Sequence, residues 1–235
     1  MEEIRTAFAA AFKLIVTLDH NLFEIVGLSL YVTLTAVLIA CLIGLPLGAL
    51  LAVGRFPGRH LVVVFINSLM GLPPVVVGLV VYLMLSSAGP FGVLQLLYTP
   101  TAMIIAQALL VTPIIAALSR QIIEALHGEY DEMLRSMHAG RMATLSTLIW
   151  DARYSLVTAA LAGLGRAFAE VGAVMIVGGN INHVTRVMTT AIALETSKGE
   201  LALALGLGII LVGLSIMINT ALMSLRSEME RMAYA

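Results

Sequence analysis

Charge is what this chain lacks. Asp, Glu, Lys and Arg make up 11% of its 235 residues, against about 25% in an ordinary soluble domain. None of the four occurs between positions 61 and 119. With 60% hydrophobic residues and a mean hydropathy of +1.02, water is excluded as the main solvent. The 13 basic and 14 acidic residues nearly cancel, which excludes the polybasic surface that nucleic acid requires. A single cysteine, Cys41, excludes a disulfide framework and a cysteine metal site. It lies in an apolar run and reads as a small core residue. The five histidines, His20, His60, His127, His138 and His183, show no ligand spacing, so no metal is expected. There is no Gly-x-x-x-x-Gly-Lys-Ser/Thr phosphate loop. Any ATP hydrolysis must therefore come from another polypeptide. No paired catalytic carboxylates and no nucleophile–base pattern emerge, so the chain is not expected to be an enzyme. Its start, Met1-Glu2-Glu3-Ile4-Arg5, lacks the basic region of a signal peptide, and the N-terminus is expected to be retained.

What is present is apolar length. A bilayer-crossing helix needs about 20 mostly apolar residues. Five segments qualify: 25–53, 61–85, 101–119, 155–177 and 201–225. Helix is the open solution, because lipid leaves unpaired backbone groups unsatisfied. The expected fold is an all-α integral membrane protein with five strong transmembrane helices. Residues 4–18 would rise only about 22 Å as a helix. Glu2, Thr6, Lys13 and Thr17 gather on one side of that helix, and Ile4, Phe8, Phe12, Ile15 and Leu18 on the other. This reads as an amphipathic helix in the membrane interface over residues 1–20, with a tilted sixth span as the competing reading. Residues 21–235 form the transmembrane domain.

Between the third and fourth spans lies an island of charge, 120–153. It holds Arg120, Glu124, Glu129, Asp131, Glu132, Arg135, Arg141, Asp151 and Arg153. Placing it in the cytoplasm puts Arg55, Arg59, Arg120, Arg135, Arg141, Arg153, Arg226 and Arg231 inside. Arg5, Lys13, Arg186 and Lys198 fall outside. The excess of basic residues inside orients the N-terminus out and the C-terminus in. Within the island, Tyr130, Met133, Leu134 and Met137 fall at i, i+3, i+4 and i+7. That is one apolar stripe on a short helix, which must pack on something to be stable. Either it lies against its own membrane domain, or it enters a groove on a cytoplasmic partner. Periodicity leaves both open.

The run Tyr130-Asp131-Glu132-Met133-Leu134-Arg135-Ser136-Met137-His138-Ala139-Gly140 resembles the EAA loop of ABC importer permeases. In that family the loop forms the coupling helix that sits in a cleft of the ATPase subunit. Glu132 takes the place of the motif's glutamate. Met133 and Leu134 stand where it has alanines, and His138 where it has glycine. The resemblance implies docking roles for Tyr130, Glu132, Met133, Met137 and His138.

Arg166 and Glu170 lie within the fourth span, where buried charges face partners or a water-filled path. Spaced i, i+4, they can pair on one helix face. They are either a structural pair or a lining of an anion path. Gly165-Arg166-Ala167-Phe168-Ala169-Glu170-Val171-Gly172-Ala173, followed by Gly178-Gly179-Asn180-Ile181, resembles a recognisable block of oxyanion importer permeases. These are the molybdate, sulfate and tungstate members. The continuation from Thr185-Arg186-Val187-Met188 to Glu195-Thr196 is similar to the tungstate branch.

This resemblance implies a type I ABC importer permease of a prokaryotic cytoplasmic membrane. Its partners would be a second copy of itself, a cytoplasmic ABC ATPase dimer, an extracytoplasmic oxyanion-binding protein and the lipid bilayer. ATP and Mg would be bound by the ATPase, and no cofactor is expected in this chain. The outer loop 179–200 would meet the binding protein, with Asn180, Thr185 and Arg186 as contacts. Tungstate is the expected cargo, with molybdate or sulfate as alternatives. An ATP-independent secondary anion transporter or channel is the reading from a different class, although no internal repeat of the kind such carriers often show is found.

Overall fold

The computed structural model describes residues 8, 9, 12, 16, 17 and 20–234, with side chains described through residue 224. Its elements are α1 (His20–Val53), α2 (Arg59–Leu69), α3 (Pro74–Leu85), a 3-10 turn (Gly92–Leu94), α4 (Pro100–Ser136), α5 (Arg141–Phe168), α6 (Gly172–Gly178), α7 (Met188–Lys198) and α8 (Leu201–Tyr234). No strand occurs among the described residues. Of the expected N-terminal helix, Phe8, Ala9, Phe12 and Val16 are helical. The rest of it lies outside the described residues, as do the side chains of Arg226 and Arg231.

Three helices, α1, α4 and the Leu201–Ser224 part of α8, are long and apolar enough to cross a membrane. Two broken pairs, α2 with α3 and α5 with α6, pass the same test together, which brings the number of spans to as many as five. Two of the five expected segments are therefore not single helices. The segment 61–85 breaks because Pro73 and Pro74 are consecutive. Neither has an N–H to donate, and each pushes the residue before it out of the helical region. Pro73 sits at φ −62°, ψ 125° as the cap, and Pro74 opens α3, where a missing N–H costs nothing. The segment 155–177 breaks at 169–171 without proline or glycine; its cause is described below.

The chain divides into two compact units. The first comprises Met1–Ala36, Pro73–Gln107 and Ala167–Ile218. Its core joins Leu22, Ile25 and Val26 of α1 to Met188 and Ala191 of α7 and Leu207 of α8. Here α3 packs on α6, so closely that a Cβ on Gly78 would stand 2.7 Å from the Cα of Ala173. Small residues at helix contacts are the usual means of close approach in a bilayer.

The second unit comprises Val37–Leu72, Ala108–Arg166 and Asn219–Ala235. One cluster joins Ala49 and Ala52 of α1, Ile123 and Leu134 of α4, and Leu148, Ala152 and Leu156 of α5. Another brings Leu51 and Ile66 onto Ala116 and Ala117. The Ser119 hydroxyl of α4 donates to Leu45 O of α1 at 3.1 Å, beside the in-helix Pro46.

Candidate functional site

In the second unit the charged island begins as the continuation of an apolar helix. The helix α4 runs unbroken from Pro100 to Ser136, so the stripe at 130–137 is its end and not a separate short helix. The stripe divides between the two fates that the sequence left open. Leu134 is buried and Tyr130 packs against the same core cluster. Met133 and Met137 are exposed, at 49% and 70%. Glu132 is exposed as well, and forms no hydrogen bond or ion pair among the described residues. Asp131 and Arg135, by contrast, pair along the helix at 2.8 Å.

The helix stops at a left-handed turn. His138 has φ 50°, and its N–H donates to Arg135 O while Ala139 N–H donates to Leu134 O, both at 3.0 Å. A left-handed residue just past a helix end is ordinarily glycine. The motif has glycine at this position, so the turn is kept here by a histidine at a conformational cost of about 1 kcal/mol. The next helix, α5, adds two exposed apolar side chains that sequence reasoning passed over, Met142 at 79% and Trp150 at 66%. Arg153 stacks on Trp150 and Tyr154, 4.5 and 4.2 Å from their ring centres. A lone tryptophan within a polar stretch was the available signal.

Behind this surface is a charge node. Glu124 of α4 accepts from Arg59 at 2.8 Å and from Arg120 one turn earlier. Arg59 Nε also donates to Leu51 O at 2.7 Å, satisfying a carbonyl at the C-terminal end of α1, where a cation is favoured.

The second pair of expected residues lies where α5 ends. Arg166 sits in the last turn of α5. The helix ends at Phe168, so Glu170 stands outside its regular helical register. Glu170 is 3% exposed and lies in the break, where its Oε1 accepts from Ala173 N–H at 2.9 Å. The carboxylate thus caps the N-terminus of α6. The Glu170 carbonyl accepts from the Thr189 hydroxyl at 2.8 Å. Gln107 donates to Ala167 O at 3.3 Å. Neither Gln107 nor Thr189 was singled out from the sequence.

In the segment 179–200, Thr185 turns inward and Asn180 and Arg186 are half-buried. Thr185 is fully buried, donates to Gly178 O at 2.5 Å and accepts from Ile181 N–H at 2.9 Å. Asn180, at φ 50°, exchanges hydrogen bonds with Thr190 at 2.9 and 3.3 Å. Arg186 approaches the buried Glu195 at 3.8 Å, which Lys198 also contacts at 3.0 Å. These residues shape the loop. What the loop exposes is Ile181, Asn182, His183 and Val184, with His183 Nδ1 2.7 Å from Glu24 Oε2 of α1. Among the described residues, no cluster of His, Cys, Asp or Glu is arranged to hold a metal.

Residues 44–229 match the family model described as binding-protein-dependent transport system inner membrane component. The chain is 41% identical over 228 residues to the tungstate uptake system permease protein TupB of Peptoclostridium acidaminophilum, covering 97% of this chain and 100% of that protein. A probable anion ABC transporter permease protein of Haloferax volcanii is 40% identical over 84% of this chain and 88% of its own length. The tungstate uptake permease of Campylobacter jejuni is 36% identical over 70% and 69%.

Proposed function

Since the chain belongs to the family of binding-protein-dependent transport system inner membrane components, we propose that it is the permease of an ATP-driven tungstate importer. The observation that carries the choice of cargo is its similarity, over 97% of this chain and 100% of the relative, to a tungstate uptake permease. A protein of this family is a multi-pass subunit of the inner membrane. The N-terminus is assigned outside and the C-terminus inside, from the distribution of Arg and Lys.

Two copies would form the pathway, in the closed symmetry usual for homo-oligomers. A cytoplasmic ATPase dimer would receive the end of α4 on each copy. Glu132, Met133, Met137 and His138 are exposed there and form the docking set, while Tyr130 braces it from the core. A methionine pair one turn apart, beside a carboxylate, suits a groove with an apolar floor and a basic rim. A push at 132–137 is carried along an uninterrupted helix.

The outer loop, held in shape by Asn180, Thr185 and Arg186, would present Ile181 to Val184 to a substrate-loaded binding protein. That protein selects the ion. The permease needs only to shift between outward and inward states, so its own affinity for the dianion can be weak. Arg166 is assigned to the anion path and Glu170 to holding the break beside it.

The test is ATP hydrolysis in liposomes by this chain with its ATPase, with and without binding protein loaded with tungstate. Stimulation by the loaded protein, together with tungstate uptake, is the expected result. Anion flux from the chain alone, with no ATPase retained on purification, would replace the importer by a channel or secondary carrier. In the same assay Arg166→Ala should lower uptake at least about tenfold, in line with losing a charge-assisted contact worth roughly 1.5–3 kcal/mol. If it lowers only the amount of folded protein, Arg166 is structural.

A further inference from the structure

Polar side chains from otherwise apolar helices of the first unit converge on one small pocket. Ser29 and Thr33 of α1, Gln107 of α4 and Thr189 of α7 line it, together with Ala167 at the end of α5. It has room for about one water molecule. Gln107 is 3% exposed, and only half of its amide is used. Nε2 donates to Ala167 O, while Oε1 is buried with no hydrogen-bond partner among the described residues. A buried acceptor left without a donor is costly, the more so in a membrane-spanning region with no bulk water at hand.

The Ser29 and Thr189 hydroxyls beside it are already committed. Ser29 donates to Ile25 O at 2.6 Å and accepts from Met188 N–H at 2.7 Å. Thr189 donates to Glu170 O. Ala167 O is an acceptor, shared by Gln107 and by Glu170 N–H at 3.2 Å. What the pocket wants is a donor. A tetrahedral dianion brings acceptors alone, and would face an amide oxygen and the carbonyl end of α5, both of which repel it.

We propose that this pocket holds one resident water, which donates to Gln107 Oε1 and fixes the orientation of the Gln107 amide. Thr33, 4% exposed, offers a second partner on α1. The consequence lies at the break between α5 and α6. Ala167 O and Glu170 O flank that break and are held by Gln107 and Thr189. The water keeps Gln107 turned so that its N–H, and not its carbonyl, meets Ala167. Gln107 is thus a positioning residue for the break, and the pocket is not a resting place for the transported ion.

A crystallographic map of the full chain, from crystals soaked in tungstate and showing other buried waters, tests this directly. A single peak is expected about 2.7–3.2 Å from Gln107 Oε1, with no tungsten anomalous signal in the pocket. An empty pocket overturns the proposal, and so does an anomalous peak there. Gln107→Leu should lose the peak and lower the Tm in detergent by roughly 3–6 °C. Gln107→Glu, which as a neutral acid keeps one donor and one acceptor, should recover at least half of that shift. Equal losses in the two variants would reject the positioning role.

Discussion

Glu132→Arg should abolish tungstate-stimulated ATP hydrolysis while the chain still folds and reaches the membrane. Glu132 is exposed near the end of α4 and has no internal partner among the described residues. Its reversal therefore removes nothing from the fold, and a surface change of this kind shifts stability by no more than about 0.5 kcal/mol. At an interface the effect is different. Reversing one member of a buried, hydrogen-bonded charge pair costs about 2–5 kcal/mol, which is roughly 30-fold or more in affinity. Bound at that deficit, the ATPase would no longer transmit its closure to the permease. The same reversal at Glu129, also exposed and one turn earlier, serves as the control. Loss at Glu132 with retention at Glu129 locates the docking residue. Equal losses would mean that only the overall charge of the segment matters. Normal uptake in Glu132→Arg would remove the docking role altogether.

The second large effect is on folding. Gly48→Ala should cost about 3 kcal/mol or more, as overpacking of a rigid contact does, and Gly48→Leu should leave no folded protein. A Cβ at this position of α1 would stand 2.4 Å from Ala116 O, 2.7 Å from Ser119 Cβ and 2.8 Å from Arg120 N of α4. Two of those atoms are backbone, which no rotamer change can move. At Gly27, on the same helix, a Cβ would meet nothing within 4 Å. Gly27→Ala should instead be neutral or stabilising by about 0.5–1 kcal/mol, from helix propensity. Thermal melting of the two alanine variants in detergent measures the contrast. A Gly48→Ala protein that melts with the wild type would show that α1 and α4 do not approach as described.

The resemblance at Glu132 also explains a detail that looked like a departure from the motif. His138 replaces the motif's glycine, yet its backbone takes the left-handed conformation that glycine ordinarily provides. The turn geometry survives because Arg135 O and Leu134 O are still bonded across it.

By itself, the sequence determined the solvent and the class. Its long uncharged runs admit helices in a bilayer and little else, because lipid supplies no partner for a free backbone group. It also determined the position of the charged end of α4, which stands out as polarity between apolar spans. The break ahead of α3 has a local cause too, Pro73-Pro74, which the reading of 61–85 as one span passed over; proline acts through its own ring and missing N–H. The other decisions were tertiary. No proline or glycine stands in the break after Phe168; it is held by the local Glu170 cap on α6 and by Gln107 and Thr189, with partners up to 60 residues apart in the chain. The stripe at 130–137 could be seen as apolar, but only packing decided that Leu134 turns in and that Met133 and Met137 stay out. Arg186 and Thr185 look like exposed loop residues because they are polar. Thr185 is buried and Arg186 half-buried because Gly178 O and Glu195 supply the partners that make burial tolerable. Periodicity and composition report what each residue would prefer, whereas burial of a polar group depends on a partner that only the folded chain brings within reach.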